Sequence, residues 1–374
     1  MKLKAMVIGI DARMYGPRQT GIGNYIKYLI EHLARIDQKN SYYLFFRKEE
    51  YAKFQIPNSK FYKALADFPW YSFAEQTLFL QTLLKYPLDL MHFPHFNVPL
   101  FYNKPFIVTI HDLTPKFFPG EKVGKSWLRR KAYKAVLNHA ITKSKAIITP
   151  SQFTKNDILK YYTVNPQKIF VIPQSIPLPQ TVYGNKKAKK LTKLVAKSYI
   201  LYVGVWRSHK NLEGLVKAFK ILKEEGLPHK LVIIGDPDIY YEQVARLWTK
   251  LGLKRDIIAP GFQDDNVLVE WYKHASLLVL PSFYEGFGLT PLTALSLSVP
   301  VAVSNIGALR ETLGDSAFYF DPKSPEDMAR VMKKALTDKK SAKAKLSRAR
   351  ALLKRYSWEK TADETLKVYV KAGR

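Results

Sequence analysis

Short, wholly apolar runs alternate with longer amphipathic stretches along nearly the whole chain of 374 residues. Runs such as residues 106–110 (FIVTI) and 277–280 (LLVL) lack the polar alternation of a strand that faces water on one side. They are therefore expected to be strands buried on both faces, as in parallel sheets that helices cover. The pattern predicts an α/β fold.

The alternation forms two series on either side of a lysine-rich stretch, and we interpret each series as one doubly wound parallel-sheet domain. The first series contains the apolar runs AMVIGI, YYLFF, LDLMHF, FIVTIH, AIITPS and IFVIP, with helical patterns at about 71–86, 124–142 and 152–162. The second begins at YILYVGV and ends at PEDMARVMKKAL. Ligands of such domains bind outside the carboxyl ends of the strands, so we expect a site in a cleft between the two domains.

The charge is strongly positive, with 60 Lys and Arg against 31 Asp and Glu. Residues 116–145 hold nine basic residues and one acid, and residues 185–197 hold six lysines and no acid. Such clusters favour polyanionic partners, which are nucleic acids, anionic membrane surfaces or phosphorylated substrates. No recognisable nucleic-acid module is found, so nucleic acid is the least favoured of the three.

The residue types exclude a disulfide-bonded or thiolate-metal protein and disfavour a membrane-spanning one. The chain has no cysteine, which excludes disulfides and thiolate metal sites and is compatible with a reducing cytoplasm. The apolar run at residues 5–10 is too short to span a bilayer and is followed by no cleavage signal. We therefore expect a protein that is soluble or rests on a membrane surface.

Two segments of the second series carry charged side chains at strand ends. YVGVWRSHKNL places Arg207 and Lys210 between a strand and a helix start, which suits a diphosphate. FYEGFGLTPL places Glu285 before a helix with Pro291 in its first turn. The amides of that turn are expected to be open to a ligand, and Glu285 either caps the helix or binds sugar hydroxyls.

In the first series, GPRQTGIGNY places Gly21 and Gly23 just before an amphipathic helix. Their amides could approach an anion, although a mobile turn explains them equally well, and the NAD and ATP fingerprints are absent. His111 ends an apolar strand, where a functional role is favoured. We interpret His92 and His95 as hydrogen-bonded loop linings, because their spacing matches no zinc motif.

Seven segments, in this order, resemble the motifs of the retaining GT-B glycosyltransferases of family 4, a group that includes bacterial mannosyltransferases. They are IDARMYGPRQTGIGNY, HFPHFNVPL, VTIHDLTP, YVGVWRSHKNL, LPSFYEGFGLTPL, VPVAVSNIGALRETLGDSAFYFDP and YSWEKTADETLKVY, and they span essentially the whole chain. The resemblance implies a GT-B fold, with two Rossmann-like domains facing a cleft. Its implied parts are an acceptor-binding domain at 1–173, a basic linker at 174–197, a nucleotide-sugar-binding domain at 198–356 and a returning helix at 357–374.

The resemblance also implies roles for the residues that match its motifs. Lys210 would clamp the donor diphosphate with help from Arg207, and Gly21 and Gly23 would approach the phosphates from the other domain. The amides that would bind sugar and phosphate oxygens belong to Gly286, Phe287, Gly288, Leu289 and Thr290. No metal or other cofactor is implied, because cationic side chains and helix dipoles would stabilise the leaving diphosphate.

His111 would contact the transferred sugar and Glu285 would bind its hydroxyls. Two positions depart from the family pattern. Thr293 stands where the family has a second glutamate, usually assigned to the ribose, and Val205 stands where many members have arginine. Loss of a charge-assisted hydrogen bond costs roughly 1.5–3 kcal/mol, which predicts weaker or altered nucleotide binding.

The expected activity is transfer of a hexose, mannose for preference, from a nucleoside-diphosphate sugar to a lipid-linked or glycan acceptor. The expected place is the cytoplasm, on the inner face of the cell membrane, where the basic run near Trp127 and Tyr133 would touch anionic lipid or a polyprenyl diphosphate. The alternative, motivated by Thr293 and Val205, is a non-catalytic sugar-nucleotide-binding homologue or partner subunit.

Overall fold

A computed structural model describes residues 4–16, 20–119, 126–176, 198–236 and 241–373. The chain divides into two compact units, one of Met1–Ser175 with Tyr356–Arg374 and the other of Ile176–Arg355. The basic linker expected at 174–197 lies outside the described residues from 177 onward. The domain bounds given above stay a prediction.

The described part of the first unit contains one sheet of seven parallel strands. They are β1 (Val7–Asp11), β2 (Ser41–Phe46), β3 (Phe61–Leu65), β4 (Leu90–Phe93), β5 (Phe106–Thr109), β6 (Ala146–Thr149) and β7 (Ile169–Val171). The strand order is β3-β2-β1-β4-β5-β6-β7, and every pairing is parallel. All residues of β4, β5 and β6 are buried, because helices cover both faces.

Seven α-helices are described in the first unit. They are α1 (Thr20–Ile36), α2 (Lys48–Lys53), α3 (Leu80–Leu84), α4 (Thr114–Phe117), α5 (Trp127–Lys143), α6 (Gln152–Tyr161) and α14 (Trp358–Ala372), the last helix of the chain. Helix α14 packs against α1, and the ring of its first residue, Trp358, stacks on Tyr28 at 5.2 Å between centroids. Trp358, Ala362 and Tyr369 join the hydrophobic core of this unit. The last helix is thus part of the first unit's core.

The second unit has a sheet of six parallel strands within its described residues. They are β8 (Tyr199–Val203), β9 (Lys230–Ile234), β10 (Ile257–Gly261), β11 (Leu277–Leu280), β12 (Val301–Ser304) and β13 (Phe318–Phe320). Their order is β10-β9-β8-β11-β12-β13, again parallel throughout. The order reverses direction at β8, whose neighbour on one side is β9 and on the other β11, and this is where doubly wound sheets bind ligands.

Seven α-helices accompany this second sheet in the described ranges. They are α7 (Leu212–Glu224), α8 (Tyr241–Lys250), α9 (Asp265–Lys273), α10 (Leu289–Ser296), α11 (Gly307–Leu313), α12 (Pro325–Thr337) and α13 (Lys339–Leu353). The α/β prediction of two doubly wound parallel-sheet domains is confirmed. No helix in the described part of the chain is long and apolar enough to cross a bilayer.

Two elements differ from the sequence expectation. Strand β3 was not expected, because Lys63 at its centre interrupts the apolar run and its edge position leaves Tyr62 and Leu65 exposed. The helix expected over residues 71–86 is helical over 73–84, and Glu75–Phe79 form a π-helical turn. Such turns are frequent at functional sites, and this one contains the buried carboxylate of Glu75.

Candidate active site

Two loops at the carboxyl ends of neighbouring strands carry the candidate residues of the second unit. One loop follows β8 and the other follows β11, and these strands pair directly. The Phe283 N–H donates to the carbonyl oxygen of His209 at 2.8 Å, which ties the two loops together. Side chains that are distant in sequence are therefore adjacent at this edge of the sheet.

Lys210 and Glu285 form an ion pair at this edge, with 2.7 Å between Nζ and Oε1. Their side chains are 17% and 13% exposed, so the pair is largely shielded but still reachable. The buried Ser282 hydroxyl donates to the same Oε1 at 2.6 Å. Because Ser282 holds the carboxylate independently, Lys210 can turn to another anion while Glu285 keeps its place.

Asn211 fixes the strand ends around this pair. Its backbone is left-handed, with φ of 55°, a conformation that asparagine adopts more readily than most residues. Its side-chain oxygen accepts from the N–H of Gly214 at 3.2 Å, which caps α7. Its amide donates to the carbonyls of Pro281, at 3.0 Å, and Pro322, at 2.7 Å. One side chain thus joins the segments that follow β8, β11 and β13.

Gly288 sets the start of helix α10. Its φ is 100°, and a Cβ built there would lie 2.6 Å from Cδ2 of Leu309, so no larger residue fits without displacement. Leu289 and Thr290 are the first helical residues, and amides in that position have no carbonyl partner inside their helix. Gly286 and Phe287 lie in the loop before them. The expected amide cradle therefore lies beside Glu285 in the chain, at a helix start.

Thr293 faces its own helix. Its hydroxyl donates to the carbonyl of Leu289 at 3.0 Å, which leaves only acceptor capacity for a ligand. The carbonyl of Val205, the other departure from the family pattern, accepts from the Tyr202 hydroxyl at 3.1 Å. Neither position supplies a charge.

Arg207 is exposed and directly precedes the 3₁₀ turn of Ser208–Lys210. It lines a cavity of about 440 Å³ together with Glu213, Lys217 and Gln243, whereas neither Lys210 nor Glu285 lines that cavity. The Gln243 amide donates to the Glu213 carboxylate there. The helper role of Arg207 in donor binding stays a prediction.

His111 is the candidate residue of the first unit, and both of its ring nitrogens are engaged. Its Nε2 donates to the carbonyl of Pro94 at 2.9 Å, and Gln174 Nε2 donates to its Nδ1 at 2.7 Å. Burial lowers the pKa of His111 to about 4, so the ring is neutral near pH 7. The edge of Tyr25 packs against it at 5.0 Å between ring centroids. A ligand can bond either nitrogen only by replacing one of these partners.

A chain of buried hydrogen bonds supports this arrangement. The Tyr25 hydroxyl bonds Thr109 Oγ1 at 3.2 Å, and His92 bonds the same hydroxyl at 2.8 Å. The other nitrogen of His92 bonds the Tyr369 hydroxyl at 2.7 Å. The pKa of His92 is lowered to about 3, first by burial and then by the neighbouring His111. His92 is therefore a neutral structural link.

The glycines of the first series lie elsewhere than expected. Gly21 and Gly23 are the second and fourth residues of α1, not residues before it. The helix continues through them because each glycine costs only about 1 kcal/mol, while Ile26, Leu29 and Leu33 of the same helix are buried in the core. An approach of these amides to a phosphate stays a prediction. Among the described residues, no group of three or more acidic or histidine side chains could hold a metal ion.

Sequence reasoning missed Ser282, Asn211 and Gln174. Asn211 precedes an amphipathic run, and that helix-cap signal could have identified it. Ser282 lies three residues before Glu285, but the chain turn that brings them together has no sequence mark. Gln174 is 63 residues from His111, so no local pattern could have paired them.

The sequence matches two glycosyltransferase families. Residues 185–351 match Glycosyl transferases group 1, and residues 19–179 match Glycosyltransferase Family 4. The two matched regions together extend over most of both compact units.

Named relatives agree with these matches. The chain is 27% identical over 290 residues to the O-antigen chain mannosyltransferase B of Escherichia coli, covering 74% of this chain and 73% of that protein. It is also 27% identical over 324 residues to the O-antigen chain mannosyltransferase RfbU of Salmonella typhimurium, covering 84% and 86%.

Solved structures share the fold. Sucrose-phosphate synthase from Thermosynechococcus elongatus superposes with a TM-score of 0.78 at 20% identity, covering 98% of this chain and 99% of that one. WaaG, a glycosyltransferase involved in lipopolysaccharide biosynthesis, superposes with a TM-score of 0.72 at 17% identity, covering 96% and 98%. The predicted GT-B fold is confirmed by these neighbours.

Proposed function

The chain belongs to the family 4 glycosyltransferases, and from that premise we propose that it transfers mannose from a nucleoside-diphosphate sugar to a lipid-linked or glycan acceptor, with retention of configuration. The observation that carries the proposal is the Lys210–Glu285 ion pair at the point where the second sheet changes direction. Mannose is preferred because two relatives of similar length are named as O-antigen chain mannosyltransferases.

The ion pair suits exchange of partners with a donor. When a diphosphate binds, Lys210 turns from Glu285 to the phosphate oxygens, and Ser282 still holds the carboxylate through Oε1. Glu285 then accepts hydrogen bonds from sugar hydroxyls. Each charged group exchanges one charged or polar partner for another, so neither is left buried and alone.

Transfer breaks the bond between the anomeric carbon and the diphosphate and forms one to the acceptor hydroxyl, which gives its proton to an oxygen of the departing diphosphate. Negative charge develops on the departing diphosphate. Lys210 and the amides at the start of α10 oppose that charge. We therefore propose that no metal ion is needed, and turnover in excess EDTA should equal turnover without it. Loss of turnover that Mg²⁺ or Mn²⁺ restores would contradict this.

In the first unit, His111 is the residue proposed to contact the transferred sugar. Its ring is neutral, so it contributes shape and hydrogen bonding rather than charge. Exchange of Gln174 for a sugar hydroxyl at Nδ1 would give the ring a contact with the transferred sugar. The Tyr25 and Pro94 contacts would keep the ring in place during this exchange.

Purified protein incubated with a panel of nucleotide sugars and mannose-terminated acceptors tests the proposal. Lys210→Ala and Glu285→Ala should each lower the rate of transfer by about 10²–10³-fold. The matched controls are Lys273→Ala and Glu270→Ala, which disrupt a pair of the same kind on α9 with a 3.0 Å separation. Full transfer in either site variant would contradict the assigned roles.

A membrane-facing surface is proposed at the start of α5. Trp127 and Leu128 are 63% and 61% exposed, and the exposed Arg129, Arg130 and Lys131 follow them. Apolar side chains beside cations suit an anionic bilayer at the inner face of a cell membrane. Flotation with vesicles of phosphatidylglycerol should retain the protein, and vesicles of phosphatidylcholine should not. Equal partition would remove this part of the proposal.

A second candidate function is a non-catalytic binder of sugar nucleotides. It is favoured by Thr293, whose hydroxyl is already bonded within its helix and offers the ribose no charge. Calorimetry with nucleotide sugars, combined with a donor-hydrolysis assay, separates the two functions. Binding with neither hydrolysis nor transfer would favour the second.

A further inference from the structure

The loop after β4 contains polar atoms that are buried without a hydrogen-bond partner in the protein. Asn97 is 2% exposed, and both its Oδ1 and its Nδ2 are in this condition. The Nδ1 of His95 and the hydroxyl of Tyr133 are also buried without a partner. Each buried polar atom without a partner lowers the stability of the fold. A cluster that contains both donors and acceptors of this kind therefore needs an explanation.

These groups are neighbours of one another and of His111. The ring centroids of His95 and Phe96 are 4.0 Å apart, and those of Tyr133 and Phe96 are 5.0 Å apart. Pro94, directly before His95, accepts the hydrogen bond of His111. Asn97 lies close to His95, although the two side chains do not meet hydrogen-bond geometry.

Tyr71 lies at the edge of the same cluster with its ring open to solvent. It is 65% exposed, and its ring centroid is 6.2 Å from that of His95 and 6.0 Å from that of Phe96. Its φ is 57°, a left-handed conformation that is uncommon for a residue with a bulky side chain. Such strain persists only where the surroundings hold it.

A buried ionic network holds Tyr71 in that conformation. Its N–H donates to Glu75 Oε2 at 2.9 Å, and Glu75 Oε1 accepts from Arg13 Nη2 at 2.8 Å. Arg13 also bonds both oxygens of Asp11, at 2.9 and 2.7 Å, and its guanidinium lies 3.7 Å from the centre of the Phe79 ring. The π-helical turn that begins at Glu75 makes this anchoring possible. The strained aromatic is thus fixed to the carboxyl end of β1.

We propose that this cluster binds one sugar ring of the acceptor, with Tyr71 stacked on the apolar face of the ring. Asn97, His95 and Tyr133 then bond its hydroxyl groups. A sugar is the ligand class that offers both an apolar face and several adjacent donors and acceptors. The inference rests on the proposed function, since it names residues of the acceptor side of the same reaction.

The Tyr71 variants test the stacking. With methyl α-mannopyranoside titrated against the full-length protein, Tyr71→Phe should bind as the wild type does. Tyr71→Ala should bind about three- to tenfold more weakly, because an aromatic contact is lost. The control is Phe73→Ala, which truncates a neighbouring ring that is 83% exposed. Equal affinity in Tyr71→Ala, or an effect confined to vesicle binding, would overturn the proposal.

Asn97→Leu distinguishes binding from a structural role. The substitution keeps the branched shape of the side chain and removes two unsatisfied polar atoms, so the melting temperature should stay the same or rise. Affinity for methyl α-mannopyranoside should nevertheless fall about tenfold. Buried water is the competing partner for these atoms, and it predicts unchanged sugar affinity. Unchanged affinity would therefore overturn the proposal.

Donor assays keep this inference separate from the proposed function. Hydrolysis of the donor in the absence of acceptor is measured beside the sugar titration for Tyr71→Ala, Asn97→Leu and the control Phe73→Ala, and only the control has to match the wild type. If hydrolysis and transfer persist but the sugar titration does not respond to these variants, the inference fails while the proposed function stands. If no nucleotide sugar turns over, the proposed function fails, and the direct titration still tests the sugar site.

Discussion

The two candidate residues with the clearest chemistry, His111 and Glu285, are held in opposite ways. His111 has both ring nitrogens bonded to uncharged partners, Pro94 and Gln174, and is neutral. Glu285 bonds a cation, Lys210, and a second donor that can hold it alone. The first arrangement is suited to fix a shape, and the second to exchange partners with a charged substrate. The difference places the charge chemistry of the proposed reaction in the second unit.

The largest expected effect comes from removing the exchangeable pair. Lys210→Ala and Glu285→Ala should each lower the rate of transfer by about 10²–10³-fold, because the first removes a cation that opposes the developing negative charge and the second removes the carboxylate that holds the sugar hydroxyls. Gln174→Leu should lower it far less, since the His111 ring keeps Pro94 and Tyr25. Steady-state kinetics on the three variants measure this. A Gln174→Leu defect as large as that of Lys210→Ala would contradict the comparison.

Acidification should destabilise the first unit more than the second. Burial lowers the pKa of His92 and His95 to about 3 and that of His111 to about 4, and in the second unit it lowers that of His209 to about 3. The unfolded chain binds more protons than the folded chain below pH 6.5, so stability falls as the pH drops from 6.5 toward these values.

Between pH 6.5 and 5.5, each of these histidines should lower the free energy of unfolding by about 1 kcal/mol. The loss is therefore about 3 kcal/mol in the first unit and about 1 kcal/mol in the second. Hydrogen exchange followed by peptide-resolved mass spectrometry reports the two units separately. Equal losses of protection in the two units would contradict the prediction, because they would show that the neutral histidines do not make the first unit more sensitive to acid.

Gly288→Ala tests the helix start beside Glu285. A left-handed φ of 100° and a contact of 2.6 Å to Leu309 should together destabilise the fold by about 2 kcal/mol. Gly226→Ala is the matched control, because its φ is 81° but nothing lies within 4 Å of the added Cβ. It should cost about 1 kcal/mol. Urea unfolding of both variants checks the difference, and equal losses would show that crowding at Gly288 contributes nothing.

The smallest expected effect concerns the ribose. Thr293→Glu adds a carboxylate to α10 at a position whose hydroxyl is now bonded within the helix. It should tighten binding of the nucleoside diphosphate by about tenfold, the value of one charge-assisted hydrogen bond. Calorimetry with the free nucleotide measures this, and Thr293→Gln controls for side-chain length. No tightening would show that the ribose is held elsewhere.

The sequence predicted what depends on local pattern and on burial. Strands β4, β5, β11 and β12 are buried on both faces, so their apolar runs were sufficient to predict them. Strand β3 lies at a sheet edge, with a lysine at its centre and with Tyr62 and Leu65 exposed, and it was missed. The strand-end positions of Lys210 and Glu285 were predictable, since both follow such runs.

The contacts of those side chains were not predictable. Gln174 meets His111, and Glu75 meets Arg13, only because the sheet order brings distant segments to one edge. The strained φ of Tyr71 depends on that second contact and has no counterpart in local sequence. The sheet topology thus determines which residues support the site, and local sequence does not reveal them. The charged residues of the site could be predicted because they follow apolar strands in the chain.

The most direct test of the central claim is the product itself. Purified protein should be incubated with nucleoside-diphosphate mannose and a mannose-terminated acceptor, and the anomeric configuration of the new linkage determined by NMR. We expect one transferred mannose with the configuration of the donor, and product formation about 10²–10³-fold slower with Lys210→Ala. An inverted linkage, or bound donor that is never transferred by the wild type, would contradict the account.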